Sequence, residues 1–376
     1  MNPSETVVGT TLQVSCARDE LVAALAVVSR GLSSRSAVQI LSGILLRADG
    51  SELHLAATDM ELSLRTSLDA RVRGDGAVVV PGRLLVDLAR LLPDREVLLE
   101  QVAEENVLRV QCGSAEYRLR TYAVDDFPRL PDVDAVPLSS VEAEPLLETI
   151  ARVSRSASRD ESRPVLTGIL ARFEGGKLVM AATDSYRLSV KETPLAEGAP
   201  ELEAIIPARA LDELRRIAAG AEQVQVGVQE NQVVFGIDGV WLTTRRIDGQ
   251  FPNYKQLLPE NFEHEVRLPR DEVLDVVRRT AVMAQRNSPL RLRFEEGELT
   301  VSAQTQDVGE SRETLPVAFS GGTLEIGFNA EFLREGVESI EGDDVKLKLI
   351  SPLRPAVLQG TDADFTYLIM PIRLAG

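Results

Sequence analysis

The chain has 376 residues and a formal net charge of −17, with 41 Lys and Arg residues against 58 Asp and Glu residues. Taken alone, this acidic balance argues against a nucleic-acid-binding protein, although net charge says nothing about how the charges are distributed. No apolar run approaches the ~20 residues that a membrane-spanning helix needs, and the N-terminus lacks the basic and apolar regions of a signal peptide.

The first third of the chain predicts strands and two amphipathic helices. Apolar side chains at helical spacing mark the helices, and alternating apolar side chains with Gly or Asp turns mark the strands. In order, these elements are a strand over 10–14, a helix over 19–32, a hairpin over 41–63, a strand over 77–80, a second helix ending at Leu92, and strands over 97–102, 107–112 and 117–122. The apolar face of the second helix is predicted to comprise Leu84, Leu85, Leu88, Leu91 and Leu92.

The hairpin is repeated later in the chain. Leu-Ser-Gly-Ile-Leu-x-Arg and Ala-Ala-Thr-Asp within 41–59 return as Leu-Thr-Gly-Ile-Leu-x-Arg and Ala-Ala-Thr-Asp within 166–184. A weaker third copy is a strand, a Glu-Glu-Gly turn and a strand over 290–310. Pro81, Pro207 and Asn329 begin the corresponding second helix of each copy. Such long-range self-similarity is typical of duplicated domains.

We therefore predict three domains of roughly 120 residues, which is an ordinary domain size. They span 11–132, 133–260 and 261–376, after a tail over 1–10. Each contributes two helices, six in all, on one face of antiparallel sheet, so the predicted fold class is α+β. Ser139 and Glu142 have the spacing of a capping box before the first helix of the second domain.

Several helices carry arginine opposite their apolar stripe. Two interpretations of these arginines stay open. They are ordinary solvated helix faces, or, because the pattern recurs in an acidic chain, they form one basic surface that would bind phosphates weakly and without sequence preference. The arginines are Arg83, Arg90, Arg152, Arg155, Arg159, Arg209, Arg215, Arg216, Arg279 and Arg286.

Residues that carry catalytic chemistry are scarce. The two histidines, His54 and His264, and the two cysteines, Cys16 and Cys112, do not have zinc-ligand spacing, and no Gly-rich phosphate loop occurs. The duplicated Thr-Asp pairs suit bends, in which Asp bonds its own backbone, better than acid–base chemistry. The sequence therefore predicts neither a catalytic residue nor a metal site.

The apolar stretch 367–374 contains Pro371, which excludes a central strand throughout. Two interpretations stay open. It forms a final strand packed on the core, or an exposed apolar lip that, with Tyr186, makes a groove for a peptide.

These motifs together resemble the bacterial DNA sliding clamp, the beta subunit of DNA polymerase III. The resemblance runs from about residue 11 to 374 and rests on Ala-Ala-Thr-Asp-x-x-Arg-Leu at 181–188, Phe-Pro-x-Tyr at 251–254, Ile-Gly-Phe-Asn at 326–329 and Tyr-x-x-Met-Pro-x-Arg-Leu at 367–374. It implies a non-catalytic cytoplasmic processivity factor, without cofactors, that is associated with the nucleoid during replication. Two chains would close head to tail as a homodimeric ring around duplex DNA.

The resemblance also implies partners and the residues that contact them. The partners would be the replicative polymerase, the clamp loader ATPase, repair polymerases, ligase and mismatch-repair proteins, held through short linear motifs. Arg35 and Arg163 would join the helix arginines on the DNA-facing side, and Tyr117 and Leu119 of one chain would meet Val282 and Met283 of the other. The peptide-binding pocket would comprise Leu166, Thr183, Ser185, Tyr186, Arg187, Leu188, Pro252, Leu257, Leu353, Pro355, Leu368, Met370, Pro371, Ile372, Arg373 and Leu374.

Two other functional classes fit parts of the sequence. A repeat scaffold that binds peptides without DNA would share the groove and the domains. A nucleic-acid enzyme would share the basic surface, but the chain shows no metal-carboxylate constellation.

Overall fold

The computed structural model describes residues 11–33, 38–93, 95–133, 136–195, 201–229, 231–284, 288–305 and 309–374. The chain divides into two compact units. The first unit comprises the chain up to Ala143 together with residues 216–246, and the second comprises 144–215 and 247–376. The α+β class predicted from the sequence is confirmed, and each unit combines parts of two repeats.

The elements of the first repeat follow the predicted order. They are β1 (Gln13–Ala17), α1 (Arg18–Val28), β2 (Gly43–Asp49), β3 (Glu52–Thr58), β4 (Leu62–Asp69), β5 (Arg71–Gly74), β6 (Gly76–Pro81), α2 (Gly82–Leu91), β7 (Glu96–Val102), β8 (Val107–Cys112) and β9 (Ala115–Arg120).

The second repeat has the same order with one additional short helix, α4, and its described residues include no strand that corresponds to β5. Its elements are β10 (Leu138–Glu142), α3 (Ala143–Val153), α4 (Pro164–Thr167), β11 (Gly168–Glu174), β12 (Lys177–Thr183), β13 (Arg187–Pro194), β14 (Leu202–Pro207), α5 (Ala208–Ile217), β15 (Gln223–Gln229), β16 (Gln232–Ile237) and β17 (Val240–Arg245).

The third repeat completes the pattern. Its elements are β18 (His264–Pro269), α6 (Arg270–Ala281), β19 (Leu290–Glu295), β20 (Glu298–Thr305), β21 (Gly309–Pro316), β22 (Leu324–Phe328), α7 (Ala330–Glu338), β23 (Asp344–Leu349), β24 (Ala356–Gln359) and β25 (Phe365–Ile369).

The first unit contains a sheet that runs through two repeats. Its eight strands have the order β10-β15-β16-β17-β4-β3-β2-β6, and β4 pairs antiparallel with β17. A second sheet has the order β5-β1-β7-β8-β9. Leu21, Leu25 and Val28 of α1 are fully buried in the core between these elements, where apolar burial stabilises the fold.

The second unit repeats this arrangement. Its eight-stranded sheet has the order β14-β11-β12-β13-β25-β24-β23-β18, and β13 pairs antiparallel with β25. The other sheet has the order β21-β20-β19-β22. Among the described strands, β9 and β21 are therefore edge strands of their sheets.

Two local predictions were wrong. Ser139 and Glu142 lie in β10, which pairs with β15, so they cannot cap a helix. In α2, Leu84 and Leu91 were assigned to the buried face, but they are 52% and 84% exposed. The face that packs on the core carries Leu85, as predicted, together with Val86 and Ala89. No helix in the described part of the chain combines the length and apolar character that crossing a membrane requires.

Candidate functional site

The Thr-Asp pair of the second repeat organises a tight turn between β12 and β13. The Thr183 hydroxyl donates to the Arg187 carbonyl at 2.6 Å and accepts from the Ser185 N–H at 3.1 Å. Asp184 Oδ1 accepts from the backbone N–H groups of Tyr186 and Arg187 at 2.9 and 3.0 Å. Ser185 has φ 81°, a left-handed conformation that is unusual for a residue other than glycine.

The first repeat forms the same turn. The Thr58 hydroxyl donates to the Leu62 carbonyl at 2.9 Å and accepts from the Met60 N–H at 3.0 Å. Met60 also has φ 81°. The same bonds at both sites confirm that the Thr-Asp pairs are structural, since the Thr58 and Thr183 hydroxyls are committed to the backbone.

In the second unit, this turn holds Tyr186 beside the C-terminal stretch. Tyr186 is 61% exposed, and its carbonyl accepts from the Met370 N–H at 2.8 Å. Met370 follows β25 and is 39% exposed. The C-terminal stretch therefore combines features of both interpretations, because Phe365–Ile369 is a buried strand and Met370 is exposed beside Tyr186.

The lip is anchored beyond Pro371. The Ile372 N–H donates to the Gly327 carbonyl at 2.8 Å. A Cβ atom on Gly327 would lie 2.6 Å from Leu374 Cδ2, so any larger residue at this position would displace the Leu374 side chain. Arg373 is exposed between these two anchored residues.

The floor of the site is apolar. Leu188 and Leu368 lie opposite each other on β13 and β25 and are both buried. Tyr254 packs into the same cluster and is also buried. Leu166, at the end of α4, is half-buried.

Two neighbouring segments add exposed apolar residues. Leu257, in the short helix Tyr254–Leu257, is 50% exposed, and Leu353, between β23 and β24, is 62% exposed. Pro252 is exposed before that short helix, and Pro355 is half-buried directly before Ala356, which pairs with Ile369. Tyr254 of the short helix and Val357 of β24 share one buried apolar cluster with Leu188 and Leu368, so both segments pack on the same core.

Of the two arginines assigned to the pocket, Arg187 is buried, whereas Arg373 is exposed. Its guanidinium donates to Asp184 Oδ2 at 3.0 Å and to Glu335, and it stacks on the Phe332 ring at 4.3 Å. Burial by itself would lower the pKa of Arg187, but Tyr367 and Glu335 outweigh burial and raise the pKa. Arg187 therefore stabilises the turn from below rather than presenting a charge to a ligand.

Arg163 also lies at the turn. Its guanidinium donates to Asp160 Oδ2 at 3.0 Å and to the Ser185 hydroxyl at 3.0 Å. The hydrogen bonds from Ser162 and Arg163 hold the pKa of Asp160 below its usual value. Arg163 thus joins the pocket turn, although the resemblance placed it with the DNA-facing arginines.

The expectation that Arg152 lies on an exposed helix face was wrong. Arg152 is only 8% exposed. It forms ion pairs with Glu148 at 2.9 Å and with Glu341. The segment that follows α7 covers this part of α3, and a helical wheel of one helix cannot include such a distant segment.

Glu338 on α7 binds three arginines. It accepts from Arg155 at 2.7 Å, Arg278 at 2.9 Å and Arg334 at 3.2 Å. Burial alone would raise the pKa of Glu338, but the hydrogen bonds from Arg278 and Arg155 outweigh it and hold the pKa below its usual value. These four residues, which we call the Glu338 cluster, offer phosphates less positive charge than the sequence suggested.

The remaining arginines that were expected to face DNA divide into three groups. One of them, Arg159, was predicted on the first helix of the second repeat, but α3 ends at Val153 and Arg159 lies beyond it. Arg279 is exposed but forms a bidentate pair with Glu313 of β21, and Arg209 and Arg216 are exposed. Arg35 and Arg286 lie outside the described residues. Four arginines are exposed and form no ion pair with another described residue: Arg83, Arg90, Arg159 and Arg215.

The residues assigned to the contact between chains lie near the edge strands. Tyr117 of β9 is 41% exposed, whereas Leu119 is 6% exposed in the core of its own unit. Val282, directly after α6, is 74% exposed, and Met283 is half-buried. The sequence reasoning did not identify β21 as an edge strand, because only the pairing of the whole sheet reveals it.

The described ranges show neither a group of side chains suited to a metal ion nor a reactive thiol at Cys16. No group of three or more His, Cys, Asp or Glu side chains in these ranges could hold a metal ion. Burial, with a smaller contribution from Glu20, raises the pKa of the Cys16 thiol to about 12, so this cysteine stays protonated and unreactive at neutral pH.

Known family models and relatives match the chain along its length. Models of the N-terminal, central and C-terminal domains of the DNA polymerase III beta subunit match residues 12–131, 140–253 and 255–373. The beta sliding clamps of Streptomyces coelicolor and Synechococcus elongatus are 33% and 36% identical, covering 97% and 96% of this chain and 100% of each relative.

Solved structures agree with these matches. The DNA polymerase sliding clamp of Caulobacter crescentus superposes with a TM-score of 0.91 at 28% identity, covering 96% of this chain and 100% of that one. A Pseudomonas aeruginosa sliding clamp bound to griselimycin gives 0.89 at 27% identity, covering 97% and 100%.

Proposed function

Because this chain belongs to the family of the DNA polymerase III beta subunit, the beta sliding clamp, we propose that two copies close head to tail into a ring around duplex DNA. The family is non-catalytic and acts as the processivity factor of DNA polymerase III, and this is the function of the chain. The three matched domains agree with the three repeats, whose boundaries we place at 11–132, 133–260 and 261–376.

The way the repeats join supports ring closure. In each joint, the fourth strand of one repeat pairs with the last strand of the next repeat, as β4 does with β17 and β13 does with β25. By the same rule, β21 pairs with a strand equivalent to β17 and β25, and that strand is β9. Both β21 and β9 are edge strands with open hydrogen-bonding groups. If β21 of each chain pairs with β9 of the other, the contact is heterologous and two chains close into a ring.

This repeated joint is the observation that carries the proposal. It supports a contact between chains that involves Tyr117 on β9 and Val282 and Met283 after α6. The exposed Leu84 and Leu91 of α2 are explained if α2 also faces the partner, because their apolar surface would then be covered.

A variant chain with Tyr117→Asp and Val282→Asp tests this contact. Since each carboxylate would be desolvated in the contact, we expect sedimentation to show a 41.0 kDa monomer instead of a dimer of twice that mass. Leu353→Asp should leave the dimer intact, because Leu353 is an apolar residue with 62% exposure that is not assigned to the contact between chains. A dimer that persists in the double variant would contradict pairing at these edges.

We further propose that exposed arginines hold DNA weakly inside the ring. Arg83, Arg90, Arg159 and Arg215 support this, because they form no ion pair with another described residue and can contact phosphate. Such contacts carry no sequence information, so the ring can slide while it remains threaded.

The apolar site around Tyr186 and Met370 is the proposed docking site for linear motifs of partner proteins. The replicative polymerase, the clamp loader ATPase, repair polymerases, ligase and mismatch-repair proteins are the proposed partners, all in the cytoplasm at the nucleoid. Exposed aromatic and aliphatic side chains over a buried apolar floor favour peptide binding by a few anchors. Tethering a polymerase in this way raises its effective concentration at the primer end.

A further inference from the structure

The first unit contains a cavity of about 960 Å³ on one face of its eight-stranded sheet. Trp241, Arg65 and Ala56 lie side by side on β17, β4 and β3 in one register row. His54 and Arg47 lie side by side in the next row. Residues of the segment 124–133 complete the lining. The volume lies at the upper end of the roughly 300–1,000 Å³ typical of ligand pockets.

The duplicated fold shows what occupies the matching place in the second unit. There, Val190 and Val179 stand where the first unit has Arg65 and His54. Tyr254, which is 6% exposed, belongs to the same apolar cluster as both valines, and Leu258 and Phe262 pack against that cluster. A sheet face of this shape therefore accepts a peptide segment with an aromatic anchor, which in the second unit is the protein's own segment around Tyr254.

In the first unit, the corresponding segment leaves the sheet face open. Phe127 packs with Val79 in one small cluster, and Val133 packs with Val234 and Trp241 in another. These are two separate clusters rather than one continuous cluster. The cavity lining includes members of both, so it extends from one cluster to the other.

The cavity is also positively charged, in a chain whose net charge is −17. In the second unit, Arg172 is neutralised by Glu203 on the neighbouring strand, at 2.5 Å. The equivalent Arg47 has Ala77 opposite it and forms no ion pair with another described residue. Arg129 is likewise exposed, and Asp125 is the one carboxylate among the lining residues.

We propose that this cavity binds an acidic peptide segment of a partner protein that carries one aromatic or long aliphatic side chain. Carboxylates of the peptide pair with the guanidinium groups of Arg47 and Arg129, whose planar geometry suits bidentate bonds. The apolar side chain packs against Trp241 and Ala56, between the two clusters. This site lies entirely within the first unit and is separate from the docking site around Tyr186 and Met370.

Trp241 makes the test direct, because it is the single tryptophan of the chain. The full-length protein is titrated with the acetylated peptide Asp-Glu-Phe-Asp-Glu-Leu-Asp while tryptophan emission is recorded. We expect a saturable change in emission that weakens as salt is added. The same peptide with lysine in place of each acidic residue should produce no saturable change.

Two matched variants separate the site from general charge effects. Arg47→Glu should weaken binding by about tenfold or more, since a charge-assisted hydrogen bond contributes roughly that factor. Arg73→Glu, which makes the same charge change at an exposed arginine of β5, should leave the affinity within about twofold of the wild-type value, because an exposed charge outside the site contributes little. Tyr186→Ala should also leave it unchanged.

Three results would overturn the proposal. One is the absence of a saturable emission change up to about 1 mM peptide, an affinity too weak for a docking site. Another is equal weakening by Arg47→Glu and Arg73→Glu, which would mean long-range attraction only. The third is complete displacement of the peptide by an equal concentration of pyrophosphate, which would identify a small-anion site instead.

Discussion

At the scale of single residues, the polar side chains of the Thr-Asp turn shape the site, and exposed apolar side chains would provide its affinity. Thr183 and Asp184 satisfy backbone groups, and Arg187 is buried beneath them. Tyr186 is left exposed at the surface because the turn forces the chain through the left-handed conformation at Ser185.

Thr183→Val tests the role of the turn. The substitution leaves the Ser185 N–H and the Arg187 carbonyl without their bonds to the hydroxyl, so we expect a loss of roughly 1–3 kcal/mol in unfolding free energy, measured by denaturant unfolding. Peptide affinity at the Tyr186–Met370 site should fall as well. Thr58→Val, at the matching turn of the first repeat, should destabilise the protein similarly but leave that peptide affinity unchanged. An equal loss of peptide affinity in both variants would show that the Thr183 turn has no specific role in the site.

Tyr186→Ala tests the proposed anchor itself. Because Tyr186 is 61% exposed, we expect the melting temperature to stay the same. The affinity for a linear-motif peptide of the replicative polymerase should fall by roughly tenfold or more, as for a typical aromatic hot spot. Calorimetric titration measures this, with Met60→Ala, an exposed residue of the matching turn, as the control. An unchanged affinity would remove Tyr186 from the site.

At the scale of elements, the Glu338 cluster sets how much positive charge α3, α6 and α7 present. Glu338→Gln removes the negative charge beside Arg155, Arg278 and Arg334. We expect tighter binding to duplex DNA and a salt dependence that steepens by about 0.9 for each added phosphate contact. Glu331→Gln, an exposed position on the same helix, makes the same charge change outside the cluster. Equal effects of the two variants would show that only net charge matters.

The same cluster predicts a pH dependence. The folded pKa of Glu338 lies below 4.5, so the ionised form stabilises the fold at higher pH. The stability advantage of the wild type over Glu338→Gln should be complete above about pH 4.5 and disappear as the pH falls through the lower, folded pKa. Thermal unfolding between pH 7 and pH 3 measures it, and an advantage that grows on acidification would contradict the assignment.

The spacing of apolar residues predicted the helices and strands well, because these elements are determined by patterns within single segments. The six long helices and the duplicated hairpins follow from apolar spacing within single segments. Misassigned residues involve partners distant in sequence. Arg152 is covered by Glu341 and the segment around it, and Ser139 is drawn into a strand by β15. The leucine-rich helix α2 has two apolar faces, and its sequence alone does not determine which face packs on the core.

The candidate site shows the same limit. Composition alone drew attention to Tyr186 and the C-terminal stretch, but the bond from Met370 to the Tyr186 carbonyl depends on the pairing of β13 with β25. The cavity beside Trp241 could not be predicted, because it arises from the difference between two copies of one sheet face. Only the register shows that Ala77 opposes Arg47 where Glu203 opposes Arg172.

At the scale of the whole molecule, the central claim is topological. Weak arginine–phosphate contacts cannot hold a protein on DNA at physiological salt, whereas a closed ring stays threaded however weak those contacts are. The two repeated joints within the chain and the edge strands β9 and β21 favour closure by a second copy.

The most direct test is retention on nicked circular DNA after loading by the cognate clamp loader ATPase, followed by linearisation of the circle. The protein should remain on the circle during gel filtration at raised salt and leave the DNA once it is cut, because free ends let a ring slide off. Equal loss from the circular and the linear form would show ordinary phosphate binding and would contradict encirclement.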